Sequence, residues 1–294
     1  MTDFVHEPVL LNEVLSFVKD ESGFFVDGTL GSGGHSQAVL KNTSLSIVGI
    51  DRDPDAIDRA KERLQSFSTR VEYWVGSYAD IPVIMKERMN QVSFVLLDLG
   101  YSSDQIESST KGLSFMKDGP LDMRYNQTDL SIPTAADIVN KKSKNELIKI
   151  LREYGDERFA SRIVHTICEV RKDHRIVTTG ELRDLIESVV PVSQKRSKIN
   201  PATKTFQALR IAVNKELEEL KIFLHEVVPQ LPKGCRIAVI SFHSLEDRLV
   251  KQAFKKHSLS TAKVLTKKII KASNEELSRN ARSRSAKMRV IEII

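Results

Sequence analysis

Asp27-Gly28-Thr29-Leu30-Gly31-Ser32-Gly33-Gly34-His35 follows a short apolar run, Phe24-Phe25-Val26, and leads into a helix-like segment, Ser36 to Lys41. An acid at the end of a strand, then a glycine-rich turn, then a helix is the layout of a loop that holds a nucleotide-type cofactor. Side chains there would keep the backbone from the ligand, and some turn positions need positive φ. Outward from this loop the pattern repeats. Ser46 to Ile50 reads as a second strand ending at Asp51-Arg52-Asp53, and Pro54 opens a helix through Leu64, where its missing N–H costs nothing. Val71 to Val75 is a third strand, followed by Gly76-Ser77-Tyr78. Val92 to Leu97, bounded by Asp98, is a fourth, apolar throughout as strands buried on both faces are. Before the first strand, Pro8 to Lys19 reads as an amphipathic helix using Val9, Val14, Leu15 and Val18.

The alternation of strand and helix then stops. From about Ser109 to Asn200 no strand is evident, while Lys144 to Arg152, Gly155 to Arg171 and Thr179 to Val189 carry helical periodicity. A long helix is expected from about Ala202 to Val228, on the stripe Phe206, Leu209, Val213, Leu217, Leu220, Leu224 and Val228. Arg236 to Ile240 is a fifth strand, leading to Ser241-Phe242-His243-Ser244. Lys263 to Ile270 and Lys287 to Ile293 are candidates for a closing antiparallel pair. The expected fold is α/β: a Rossmann-like methyltransferase sheet of about seven strands with an inserted all-helical domain. Residues 1–108 and 201–294 form the sheet domain and residues 109–200 the insert.

At 294 residues the chain has ample core, and its composition is that of an ordinary globular protein. The N-terminal residues Asp3, Glu7 and Glu13 do not fit a signal peptide, and no apolar run approaches a membrane span. Cys168 and Cys235 stand far apart without metal-ligand company, so a reducing cytoplasm and no metal are expected. The net charge of +6 is uneven. Val250 to Ile294 holds twelve Lys/Arg against three Asp/Glu, which leaves the first 249 residues at −3. A basic end on a slightly acidic body suits a polyanion such as RNA, and suits a solvated tail about as well.

Dinucleotide-binding enzymes also place a glycine-rich loop after the first strand and an acid after the second. Two details favour S-adenosylmethionine. Thr29 stands where a dinucleotide fingerprint wants its first glycine, and the loop starts from Asp27, a carboxylate suited to the methionine end. Asp51 and Asp53 are placed for ribose hydroxyls, one as ligand and the other as cap of the Pro54 helix. Asp98-Leu99-Gly100-Tyr101 points to the acceptor. Enzymes that methylate exocyclic base amines carry an Asp/Asn-Pro-Pro-Tyr/Phe stretch at this strand end. There a carboxylate and backbone carbonyls accept from the amine while the aromatic stacks on the base. Leu99-Gly100 replaces the two prolines, so the match is partial, and a strand end with a buried Tyr is the structural alternative. No cysteine sits in a loop fit for carbon methylation, and His6, His35 and His243 have no metal spacing.

Together these motifs resemble the family of bacterial 16S ribosomal RNA cytosine-N(4) methyltransferases, RsmH or MraW. The matching stretches run from His6-Glu7-Pro8-Val9-Leu10 through Asp27–Ser36, Gly49–Asp53, Asp98–Gln105, Gly119–Arg124, Tyr154–Ala160, Pro201–Ile211 and Val239–Arg248 to Arg282–Lys287. The resemblance implies methyl transfer from S-adenosylmethionine to a cytosine amine at the decoding centre of the small ribosomal subunit. It implies cofactor contacts at Gly33, Gly34, His35, Asp53, Tyr78, Asp98 and Gln105, with Asp98 and Tyr101 at the reacting amine. Asn200 stands where the family usually has His, Lys204 where it has Arg, and Asn280-Ala281 replace a proline-containing stretch. Those departures put substrate contacts in question more than the reaction. Arg282, Arg284, Lys287 and Arg289, with Lys195, Arg196 and Lys198 of the insert, become phosphate candidates, and Phe242 a second wall beside Tyr101. The long helix leaves room for a homodimer. A ribosome-assembly factor without catalysis and an NAD-dependent oxidoreductase are the competing functions. The intact Gly31, Gly33 and Asp98 weigh against the first, and the lack of a hydride-site acid or base against the second.

Overall fold

The computed structural model describes residues 8–19, 22–100, 110–191 and 200–294. The chain divides into two compact units, Met1–Tyr101 with Leu217–Ile294, and Ser102–Glu216.

The first unit opens with α1 (Leu11–Phe17), shorter than the expected Pro8–Lys19 helix because Leu10 is left-handed at φ 55° and Val18 is extended. Glu276 accepts the buried Leu10 N–H at 2.9 Å, which fastens that turn. Then come β1 (Phe24–Asp27), α2 (Gly34–Asn42), β2 (Ser46–Asp51), α3 (Pro54–Arg63), β3 (Val71–Val75), the short α4 (Ile81–Met85) and β4 (Val92–Asp98). The Arg70 guanidinium donates to the carbonyls of Leu40, Thr43 and Leu45, gathering the end of α2 and the start of β2.

In the second unit α5 (Ala135–Lys141), α6 (Lys144–Gly155), α7 (Ala160–Asp173), α8 (Thr179–Val189) and α9 (Thr203–Asn214) enclose their own apolar core. A single bridge, Pro120 to Thr178, is the only β pairing among its described residues. The helix expected over Gly155–Arg171 is two. Gly155 ends α6, Asp156 turns left-handed at φ 47°, and α7 starts at Ala160. The long helix expected over Ala202–Val228 also breaks. Lys215 is left-handed at φ 51°, and the chain passes into α10 (Glu216–Ile222) of the first unit through that break. The boundary between units thus falls at Glu216/Leu217 rather than at 200/201. The stripe on which that helix was expected is core: Leu209, Val213, Leu220, Leu224 and Val228 are all buried, divided between the cores of the two units.

Back in the first unit, β5 (Arg236–Ser241), α11 (Ser244–His257), β6 (Ala262–Val264), α12 (Asn274–Arg279) and β7 (Lys287–Ile293) complete the chain. The sheet has the order β3-β2-β1-β4-β5-β7-β6, with β7 antiparallel to both β5 and β6. This is the Rossmann-like methyltransferase arrangement. The expected strand at Lys263–Ile270 shrinks to three residues plus one bridge between Ile270 and Met288. Apolar layers cover both sheet faces, with Phe223, Leu224 and Phe254 on one side and Leu10, Val39 and Leu40 on the other.

Helices α6 and α9 cross where Gly155 lies against Lys204. A Cβ on Gly155 would sit 2.5 Å from the Lys204 carbonyl oxygen and 3.2 Å from the Ala208 Cβ. Backbone cannot yield as a side-chain tip can. Gly155→Ala is therefore expected to destabilise the helical unit by about 1–3 kcal/mol, read as an earlier transition in thermal or urea unfolding.

Candidate active site

The strand order sets β2, β1 and β4 side by side and parallel, so Asp51, Asp27 and Asp98 end at the same edge of the sheet. Ligands of open α/β sheets bind at this edge, where the order reverses between β1 and β4. The glycine loop bridges all three strands. Gly28 N–H donates to the Leu96 carbonyl of β4, and Leu30 N–H to the Ile50 carbonyl of β2, each at 2.9 Å. Gly31 N–H donates to Asp51 Oδ2 at 2.8 Å. The Thr29 hydroxyl accepts the Asp98 N–H at 2.6 Å, so the residue that spoils a dinucleotide fingerprint ties the loop to β4. Gly33 starts α2 from φ 78°, a conformation costly for any residue with a Cβ. A Cβ on Gly34 would meet the Pro8 ring at 2.6 Å.

The acids do different work. Asp27 is buried, accepts the Ser36 hydroxyl at 2.7 Å, and is pushed up from an ordinary 3.8 to about 6 by desolvation. Desolvation also raises Asp51 to about 6, against the pull of the Gly31 and Asp53 amides. Asp98 goes furthest, to about 7. Burial is the main cause, with Asp27 and Glu246 adding to it and the Gly100 amide and Arg282 opposing it. Asp98 Oδ1 is buried without a hydrogen-bond partner among the described residues. His35, largely buried, donates from Nε2 to the Val9 carbonyl at 3.0 Å, which puts the proton on Nε2. Its Nδ1 lies 4.0 Å from Asp98 Oδ2.

The split between Asp51 and Asp53 falls opposite to the expected cofactor role for Asp53. Asp53 is the N-cap of α3, accepting the Asp55 N–H at 3.0 Å, and its side chain is fully buried with Arg59 3.9 Å away. Asp51 is the acid left at the strand end. Tyr78 sits beside the loop, its Cβ 2.8 Å from where a Gly28 Cβ would be, with its ring edge-on to Phe223 at 5.7 Å. Phe242, at the carboxyl end of β5, lies over Gly100. A Cβ there would be 2.7 Å from the ring, so Gly100 is what admits Phe242 to the Asp98 turn. Tyr101, Gln105 and His6 lie outside the described residues, as do Lys195, Arg196 and Lys198. His243 caps α11, where the Glu246 carboxylate returns to the Phe242 and His243 amides. Cys235 is buried and its thiol pushed up by desolvation, which suits a core residue and not a nucleophile.

The sequence profile of the MraW methylase family matches residues 3–294. The chain belongs to that family. Among curated relatives, "Ribosomal RNA small subunit methyltransferase H" of Persephonella marina is 47% identical over 293 residues, covering 98% of this chain and 99% of that protein. The protein of the same name from Sulfurihydrogenibium azorense is 45% identical over 289 residues, covering 97% and 98%. A crystal structure of an rRNA methylase from Streptococcus thermophilus aligns over 97% of this chain and 93% of its own, at 10% identity and a TM-score of 0.41.

As an MraW methylase the protein is an S-adenosylmethionine-dependent methyltransferase. Its strand-end residues fit that group. The cofactor carries a sulfonium and an ammonium, and the edge offers three acids whose pKa values are raised by desolvation, Asp27 buried and Asp51 and Asp98 partly so, together with an unpartnered acceptor on Asp98. Sequence reasoning missed Ser36, which orients Asp27, and took Arg282 for a phosphate contact, whereas its charge acts on Asp98. Ser36 stands one helical turn into α2, on the face toward β1, and that position was the available signal.

A carboxylate whose pKa is raised by folding contributes stability below its unfolded value that is lost as pH rises through its folded one. For Asp98 the window runs from about 4 to about 7. Without cofactor, Asp98→Asn is expected to melt several degrees above the parent at pH 8 and level with it at pH 4, measured by scanning calorimetry. Equal melting temperatures at pH 8 would remove the desolvation argument.

Proposed function

We propose that the protein transfers a methyl group from S-adenosylmethionine to the exocyclic N(4) amine of a cytosine in 16S ribosomal RNA, at the small-subunit decoding centre. The observation that carries this is Asp98. It ends β4 at the switch point with a buried, unpartnered oxygen, in an Asp-Leu-Gly-Tyr stretch roofed by Phe242. The names of the curated relatives support ribosomal RNA as the substrate.

S-adenosylmethionine supplies an electrophilic methyl on a good leaving group. The acceptor amine is the weak partner, because its lone pair is delocalised into the ring. Asp98, ionised, accepts an N–H of that amine, favours a pyramidal nitrogen and takes the proton that must leave. Phe242 gives the flipped base a face to stack on, and Tyr101 is the expected second wall. Positioning is the larger contribution, since the leaving group needs no acid. Asp51 holds the ribose hydroxyls of the cofactor, while Gly33, Gly34, His35 and Tyr78 line its loop side and Gln105 is the remaining expected contact. The helical unit carries the RNA recognition, and a ribosomal substrate places the protein in the cytoplasm. Among the described residues no helix is long and apolar enough to cross a membrane.

Three variants separate these roles. Asp98→Asn is expected to lower single-turnover methylation at least ~10²-fold while cofactor affinity changes far less, because the acceptor of the amine proton is gone. The parent rate should rise with pH through about 7, as Asp98 ionises. Asp51→Ala should weaken cofactor binding strongly, with a stability cost from the unpaired Gly31 and Asp53 amides that is partly offset by removing a desolvated carboxylate. Asp53→Ala should instead cost about 1 kcal/mol of stability through its lost cap and leave affinity nearly intact. The deciding measurement is labelled-methyl transfer to small-subunit particles beside naked RNA, with the modified nucleoside identified by mass spectrometry. A product other than N(4)-methylcytosine overturns the assignment.

A further inference from the structure

At the crossing of α6 and α9, the turn 156–159 and the first turn of α9 border an open cleft of about 490 Å³ lined by Arg152, Asp156, Glu157, Arg158 and Lys204. Three of these five side chains are cations against two acids, and of the two carboxylates Glu157 is taken up by a helix end while Asp156 stays exposed at the rim. Lys204 Nζ donates to the Asp156 carbonyl at 3.0 Å, a contact that fixes the ammonium at the cleft wall and satisfies the end of α6. Arg152 Nη2 donates to the Ser161 hydroxyl at 3.0 Å, which holds the fork in place with most of its N–H groups uncommitted. Arg158 is exposed and makes no hydrogen bond or ion pair with a described residue. Glu157 is buried, with Oε1 accepting the Phe159 N–H at 2.8 Å, so that carboxylate serves the start of α7. The first turn of α7 holds no acidic residue, so its positive end adds to the same field.

We propose that this cleft seats a backbone phosphate of the RNA substrate, held by Arg158 and Arg152 through their planar forks and by Lys204 as a fixed charge. Guanidinium groups match phosphate oxygens two at a time, and the cleft has room for a phosphodiester with its sugar. The seat reads no base. It fixes the register of the strand on the helical unit, as phosphate contacts do elsewhere. Lys204, where the family usually has Arg, keeps the charge and gives up the fork. The proposal rests on the RNA reading above.

The test is equilibrium binding of a fluorescein-labelled single-stranded RNA oligonucleotide to the full chain over a salt series. Arg158→Ala, which breaks no internal bond, and Arg158→Ala/Lys204→Ala are compared with the parent. Each lost phosphate contact should lower the slope of log affinity against log salt by about 0.7. Affinity at low salt should fall several-fold for the single variant and more than tenfold for the double one. Cofactor affinity by calorimetry and the melting temperature of Arg158→Ala should stay as in the parent, and Arg158→Lys should recover the slope. Unchanged affinity and slope in both Ala variants would overturn the seat. So would loss of inorganic phosphate binding with RNA binding intact, since the cleft would then serve a free anion. If the parent methylates cytosine and the variants bind RNA normally, the seat fails and the function stands. If the variants lose RNA binding as expected but the methylated product is not N(4)-methylcytosine, the function fails and the seat stands.

Discussion

The Asp98 N–H is held by the Thr29 hydroxyl at 2.6 Å, and the functional edge of the sheet depends on that bond. It locks the glycine loop of β1 to the end of β4 across the switch point. With Gly28 bonded to Leu96 and Gly31 to Asp51, the loop is fastened to both neighbouring strands. The acids are brought together by parallel order and not by local sequence. Burying them raises the free energy of the folded protein, since each is desolvated beside another acid. Amides and hydroxyls offset part of that cost. What remains is relieved by a cation, so the groups that weaken the empty protein are those that hold a charged ligand. The acceptor oxygen left over on Asp98 belongs to the same balance. Pairing it internally would steady the fold and remove the group that engages an amine.

Asp51 and Asp53 show how far a pattern of acids can be read. Both stand two residues apart after a strand and before Pro54, and either could cap or bind. The choice is made by backbone direction. Asp53 is extended at φ −92°, ψ 109°, the conformation that turns its carboxylate back onto the Asp55 amide. Asp51 is still in the strand, paired with Val75, so its side chain stays at the sheet edge and takes the Gly31 amide from the loop. Only the strand's last residue can do that, and where β2 ends is a one-residue question that periodicity does not answer.

The parallel core was legible because its strands are short, mostly apolar runs, four of them closed by an acid or glycine, and all five begin where the runs begin. What was not legible falls where one backbone angle overrules a pattern. The stripe from Phe206 to Val228 keeps helical spacing throughout, yet Lys215 turns left-handed and hands the chain from one unit to the other. Nothing marks a lysine for that role. Asp156 does the same between α6 and α7, with a polar residue that tolerates the conformation better. Helix α5 is too short for periodicity to mark it, although Thr134 and Asp137 form a capping box, a signal present in the sequence. The departures at Asn200 and Lys204 have local reasons. Asn200 accepts the Ala202 N–H and donates to Glu187, and Lys204 closes the end of α6.

Charge arithmetic located the basic end but not the cations open to a partner. Arg289 is held by Asp247 at 2.8 Å, and Lys287 lies 3.9 Å from the same carboxylate. Arg282 acts on Asp98. Of the four basic candidates there, Arg284 is the exposed one without an ion pair among the described residues. The turn after α6 reverses the relation: the Asp156 carbonyl and the Glu157 carboxylate serve helix ends, and Arg152 and Arg158 beside them keep most of their donors. A helix terminus that occupies a local carboxylate leaves the neighbouring arginines without an ion pair among the described residues. Such a place can attract a polyanion in a stretch whose net charge is close to zero, and a running sum of charge passes over it.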